Sequence, residues 1–179
     1  MIKFQQYLNE NKDLDQQLID ASKDGNLDLV KQLIEQGADI HAENDIALIF
    51  ASVNGHLEVV KYLVEKGADI HADDDYALRS TSFKGHLEVV KYLVENGADI
   101  HADNDWALIL ASLSGHLEII KYLIQNGSDI PKLMDIPEDV QEIAIKNDVK
   151  NIKNIKNLRS DLEDKYKHLL QADKFGLFN

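Results

Sequence analysis

The chain has 179 residues, with 19 Lys and Arg against 32 Asp and Glu, a net charge of −13, 44% hydrophobic residues and no cysteine. This excludes a disulfide framework, a thiolate metal site and a cysteine nucleophile, and the acidic balance argues against direct nucleic-acid binding, which needs a basic surface to neutralise phosphates. No apolar run approaches the roughly 18 residues of a membrane span, and Met1 to Glu10 lacks the apolar core and cleavage site of a signal peptide, so a soluble, cytoplasmic protein without membrane contact is expected.

Residues 1–14 carry Ile2, Phe4, Tyr7 and Leu8 in a polar setting, which predicts a short amphipathic helix or an N-terminal arm. Residues 15–40 introduce a frame of Asp15, Leu18, Ala21, Gly25, Leu27, Leu33, Gly37 and Ile40, made polar by Asp20, Lys23, Asp24, Asp28 and Gln32. This fits an N-terminal capping unit whose outer face meets water. The frame then returns three times, over 41–70, 71–100 and 101–130, with a period of thirty residues. A fixed period of this size means stacked supersecondary units.

Within 71–100, Leu78, Thr81 and Ser82 lie at helical spacing before Gly85, and Leu87, Val90 and Val94 share a second helical face with Leu93 beside it. Two short helices follow from this pattern. Asp75 is expected to cap the first, as are Asp45 and Asp105 in the other units, while Gly85 ends the first helix and Gly97 the second. Helices this short are unstable alone in water, so each must be held by its neighbours.

Gly85-His86-Leu87-Glu88-Val89-Val90-Lys91-Tyr92-Leu93, followed by Gly97-Ala98-Asp99-Ile100, resembles the ankyrin-repeat family, and the resemblance covers about residues 15–130. It implies an all-α, ankyrin-like helix-turn-helix solenoid of four repeats with terminal caps, acting in protein–protein recognition as a non-enzymatic module. The usual family period is 33, and the Thr-Pro-Leu-His signature is replaced here by Ile46-Ala47-Leu48-Ile49, Tyr76-Ala77-Leu78-Arg79 and Trp106-Ala107-Leu108-Ile109. The three missing residues fall where such repeats project a β-hairpin finger, so a tight turn without a strand is expected instead.

Pro131 closes the regular array. Beyond it, residues 131–179 are expected to form a helical C-terminal cap and tail: Val140, Ile143 and Ala144, then Val149, Ile152 and Ile155, suggest a divergent terminal unit. Ser160-Asp161-Leu162-Glu163 reads as a capping box, and Leu177 and Phe178 form an apolar end. Lys146, Lys150, Lys153, Lys156 and Arg159 make a local basic strip, read as a solvated helix face. From Lys132 onward nine basic residues balance nine acidic ones, so the whole negative excess lies in residues 1–131.

The regular repeats supply their own comparison of fixed and varying positions. The varying columns are Ile46/Tyr76/Trp106, Ile49/Arg79/Ile109, Phe50/Ser80/Leu110, Val53/Phe83/Leu113 and Asn54/Lys84/Ser114, all on the first helix of a unit. The resemblance implies that this helix lines the concave side and touches partners. Tyr76, Arg79, Phe83, Lys84 and Trp106, with the acidic turn residues Asp73, Asp74 and Asp103, are therefore the expected partner-binding residues, and the partner is a protein with a basic surface. Aromatic and Arg side chains are the types most enriched at binding hot spots.

His56, His86 and His116 fall in equivalent positions of neighbouring units, too far apart to share a zinc ion, and are expected to hydrogen-bond inter-helix loops. His41, His71 and His101, which sit at exposed turns, are given the same structural role. Asp69, Asp73, Asp74 and Asp75 lack the glycine and the terminal glutamate of a calcium loop. No metal, no cofactor and no catalytic constellation is expected, and the acidity favours a monomer. Phe4-Gln5-Gln6-Tyr7-Leu8-Asn9-Glu10 is similar to the start of many tailed-phage proteins. With the charge, it supports an alternative: a viral acidic decoy, placed in the host cytoplasm, that occupies the basic nucleic-acid site of a host enzyme.

Overall fold

A computed structural model of the chain describes the backbone of residues 2–128, with side chains described from residue 13 onward apart from Leu113 and Leu117. The expectations for residues 131–179 lie outside the described residues. Among the described residues eight helices follow one another and there is no strand: α1 (Ile2–Lys23), α2 (Leu27–Glu35), α3 (Ala42–Val53), α4 (Leu57–Glu65), α5 (Ala72–Lys84), α6 (Leu87–Glu95), α7 (Ala102–Leu113) and α8 (Leu117–Gln125). The odd helices pack on one another in one layer, the even helices form a second, and each pair is closed by its own turn. The segment before residue 15 continues directly into the first helix of the first unit, so α1 is a single helix of 22 residues.

The core repeats because the sequence does. Leu18, Leu48, Leu78 and Leu108 form one fully buried column in the odd layer, and Val30, Val60, Val90 and Ile120 with Leu33, Leu63, Leu93 and Leu123 form two in the even layer. Burial of each such side chain contributes about 1.5–3 kcal/mol. The even helices have nine residues each, so this lateral burial is what holds them.

Both helices of a unit end in the same way. At the end of α6, the Gly97 N–H donates to the Val94 carbonyl and the Ala98 N–H to the Leu93 carbonyl. Gly97 has φ +104, the left-handed conformation this motif requires. At the end of α3, the Gly55 N–H donates to the Ser52 carbonyl and the His56 N–H to the Ala51 carbonyl. Glycine is required here for a second reason, since a Cβ on Gly55 would lie 2.6 Å from Nδ1 of His86 in the next unit.

That histidine explains the column of imidazoles. His56, His86 and His116 donate Nε2–H to the carbonyls of Lys23, Val53 and Phe83 at 2.9, 3.0 and 2.8 Å. Each acceptor lies in the last turn of the preceding unit's first helix, where carbonyls lack a helical partner. The histidines therefore link units through their inter-helix loops, as their spacing implied.

The shortened connection between units is a left-handed turn. Glu43, Asn44 and Asp45 have φ of 50, 61 and 58, and Asp73–Asp75 and Asp103–Asp105 repeat this, so the right-handed part of each odd helix starts at Ile46, Tyr76 and Trp106. Left-handed backbone costs L-residues roughly 1–2 kcal/mol each, and Asn and Asp tolerate it best. Eight of these nine positions are Asn or Asp.

The N-cap role expected for Asp45 and Asp75 gives way to another. The Asp75 carboxylate is buried, accepts the Asp99 N–H at 2.8 Å and meets Nδ1 of His71 at 3.2 Å. Asp45 treats Asp69 and His41 the same way, and Asp15 accepts the Asp39 N–H. These carboxylates tie the entrance of a unit's first helix to the exit turn behind its second. His41, His71 and His101 thus serve as partners of Asp45, Asp75 and Asp105.

Candidate partner-binding surface

The start of α5 gathers four of the expected contact residues. Tyr76 is half-buried against the core, and the Arg79 guanidinium lies 5.4 Å from its ring centroid. Arg79 also donates Nη2–H to the Asp73 carbonyl at 2.7 Å and Nη1–H to the Asp103 carboxylate at 3.0 Å. Only 14% of its side chain is exposed. Ser80 turns its hydroxyl back onto the Tyr76 carbonyl at 2.6 Å.

The turns explain why an arginine stands in a column otherwise filled by buried Ile49 and Ile109. Asn44 donates Nδ2–H to the Asp73 carboxylate at 2.7 Å, joining the turns of the second and third units. One unit on, Asn44 is replaced by Asp74, which has no proton to give and would face Asp103 as a like charge. Arg79 covers Asp103 instead. The varying residue thus has a structural cause: it compensates for an aspartate where the neighbouring units have asparagine.

Phe83 and Lys84 sit at the far end of α5, both half-buried, with the Lys84 ammonium 5.7 Å from the Phe83 ring centroid. Trp106 occupies on α7 the register that Tyr76 occupies on α5, and is half-buried too. Since α5 and α7 pack together, the two aromatics belong to one ridge with Ile46, Phe50 and Leu110, all half-buried. Asp73, Asp74 and Asp103 are exposed along its edge. Phe50, from one of the varying columns, and Asn44, not singled out from the sequence, complete the surface. The signal for Asn44 was the Asn44/Asp74/Asn104 column, whose one acidic member lies in the same unit as Arg79.

The opposite layer is nearly uniform. α4 and α6 have the same nine residues, and each even helix from α4 on carries a Lys–Glu pair at 2.8 Å, Lys61 with Glu58, Lys91 with Glu88 and Lys121 with Glu118. These exposed pairs contribute little to stability. Variation between units is concentrated on the odd helices and their turns.

Among the described residues no group of three or more His, Asp or Glu side chains could hold a metal ion, and no helix is long and apolar enough to cross a membrane. A search of curated proteins finds no match. The family described as ankyrin repeats (3 copies) matches residues 3–74 and 73–133, which together span most of the chain. Ankyrin repeats are protein–protein interaction modules and typically not enzymes. On that match and on eight helices stacked as helix-turn-helix units, the chain belongs to the ankyrin-repeat family.

Proposed function

We propose that the chain is a non-enzymatic recognition module that binds a protein with a basic surface through the ridge of its odd helices and their acidic turns. Tyr76, Phe83, Lys84 and Trp106 form the contact, Asp73, Asp74 and Asp103 read positive charge, and Arg79 fixes the two turns that carry Asp73 and Asp103. The observation that supports this most is the asymmetry of variation. The even helices repeat almost unchanged, whereas half-buried positions of the odd helices change between Ile46, Tyr76 and Trp106 on one backbone. Packing between identical units does not require that change, and fold alone names no partner.

The test compares affinity and stability on the same samples. A partner captured by the full chain from its native cell should bind Trp106→Ala and Phe83→Ala at least about 2 kcal/mol more weakly, the usual hot-spot threshold. Both variants should melt far closer to the parent chain than Leu93→Ala, since loss of a buried Leu costs about 2–5 kcal/mol. If Trp106→Ala melts as low as Leu93→Ala, the aromatic column is core that fills the space of the shortened finger.

The exposed carboxylates of the turns favour a second reading, a viral acidic decoy in the basic nucleic-acid site of a host enzyme. Asn44 and Arg79 speak against it, since they engage Asp73 and Asp103 within the stack. Affinity that collapses with added salt and is lost when free nucleic acid competes would favour the decoy.

A further inference from the structure

Three of the helix ends carry Asn-Gly steps: Asn54-Gly55 after α3, Asn96-Gly97 after α6 and Asn126-Gly127 after α8. Asn-Gly is the pair most prone to cyclise, because glycine offers no side chain to obstruct attack by its own nitrogen. The Gly nitrogen loses its proton and attacks Cγ of the Asn side chain, the bond from Cγ to the side-chain nitrogen breaks, and ammonia leaves. Water then opens the resulting succinimide at either carbonyl, which gives aspartate or isoaspartate. The equivalent ends of α2 and α4 carry Gln36 and Lys66, which cannot form this five-membered ring.

In the closed helix end this reaction is blocked twice. Asn96 donates Nδ2–H to the Tyr92 carbonyl at 2.8 Å, which folds its side chain back along the helix and away from Gly97. The Gly97 nitrogen is itself tied to the Val94 carbonyl at 3.1 Å. Asn126 and Gly127 repeat both bonds, to Tyr122 and Ile124, and Asn54 and Gly55 repeat them to Phe50 and Ser52. Cyclisation therefore needs the last turn to open.

The three ends differ in what opening them disturbs. Gly97 is exposed, and a Cβ added to it would meet nothing within 4 Å; at Gly127 such an atom would meet only Ile100, at 3.9 Å. Their last turns can fray without separating two units, and frayed ends lie at the low end of the range of opening free energies. Gly55 lies under the imidazole of His86, which also holds the Val53 carbonyl, one residue before Asn54. Opening that end means parting the second unit from the third.

We propose that Asn96 and Asn126 are sites of spontaneous deamidation in the folded chain, each gated by its own helix end, and that Asn54 is kept inert by His86 of the next unit. Conversion places a carboxylate at the negative end of a helix and removes the side-chain donor to the Tyr92 or Tyr122 carbonyl, leaving it only the backbone N–H of the same residue. Isoaspartate also lengthens the backbone at the turn. The modification thus loosens the turn that leads from one unit to the next, and ages the stack one unit at a time.

The full chain, held in warm and mildly alkaline buffer, is followed by peptide mapping with mass spectrometry, beside a sample in urea. In urea the three sites should convert at similar rates. In the folded chain Asn96 and Asn126 should convert about tenfold faster than Asn54 or more, a ratio set by the difference in local opening. His86→Ala should accelerate Asn54 while leaving Asn96 close to its former rate. Amide hydrogen exchange on the unsubstituted chain tests the gate independently, with the Gly97 amide exchanging faster than that of Gly55. Folded-state conversion of Asn54 at the rate of Asn96, or no conversion at Asn96 and Asn126 while the urea sample converts, would overturn the proposal.

Discussion

Arg79 shows how far a single residue can be understood from its column. The sequence marks it as odd, an arginine where two units have isoleucine, and partner contact was the natural expectation. The structure gives it work inside the stack as well, on Asp73 and Asp103, because Asp74 cannot repeat what Asn44 does for Asp73. If that is its role, Arg79→Ala should cost about 1 kcal/mol or more, and Asp74→Asn should recover at least about 0.5 kcal/mol in that background while changing the parent chain by less, a coupling typical of residues in one network. Thermal melts of the four chains in the cycle decide this, and strict additivity would mean that Arg79 and Asp74 act separately. The two glycines make a second pair. Gly97→Val should cost more than about 1 kcal/mol from backbone strain alone, since its Cβ would enter open space. Gly55→Ala should cost more than Gly97→Ala, because its Cβ also drives His86 off the Val53 carbonyl. Equal melting midpoints for the two alanine variants would show that the imidazole moves aside freely.

The helices were legible in the sequence because their signals are local: an apolar stripe at helical spacing and a glycine at each end. The turns between units were legible only in length. A tight turn without a strand is what the missing three residues imply, but three successive left-handed residues are not read from Asp-Asp-Asp, since the glycine that usually marks that conformation is absent. Asp75 was misread for a related reason. An aspartate ahead of a helix is most often its cap, and only the folded unit brings the Asp99 N–H to its carboxylate. The histidines were legible because their spacing matched that of packed helices. Their linkage carries a dependence on pH. Burial holds the His86 imidazole below its ordinary value of 6.5, reinforced by His56, His116 and Lys84 and opposed by the bond to the Val53 carbonyl. The unfolded chain therefore binds the proton more readily than the folded one. The contribution of neutral His86 is complete above about pH 6.5 and declines as pH falls below that value toward the lowered folded pKa. Melting midpoints should drop with acid over that window, and His86→Gln, which removes the titrating group, should flatten that part of the profile. A profile unchanged by His86→Gln would assign the acid sensitivity to other groups.

At the scale of the whole molecule the stack is one-dimensional, since among the described residues the main packing joins helices within a unit and helices of adjacent units. Stability is then a sum of unit terms and interface terms, and where a defect is placed matters as much as its size. Leu18 and Leu78 test this cleanly, because they occupy the same column, are both fully buried, and differ in position along the stack. Each substitution to alanine should cost about 2–5 kcal/mol, the range for removing a buried leucine side chain. The consequences should spread differently. Leu78→Ala lies between α3 and α7 and weakens an interface on either side, so hydrogen exchange should rise in the second, third and fourth units together. Leu18→Ala weakens the first unit and its single interface with α3, and α5 to α8 should keep their protection. This has a functional side, because the proposed contact residues Tyr76, Phe83, Lys84 and Trp106 all lie in the third and fourth units. Leu18→Ala should leave partner affinity almost unchanged under conditions where Leu78→Ala abolishes it. A single cooperative loss of protection along all eight helices in both variants would instead mean that the coupling between units exceeds the stability of any one of them, and that the stack folds as one body.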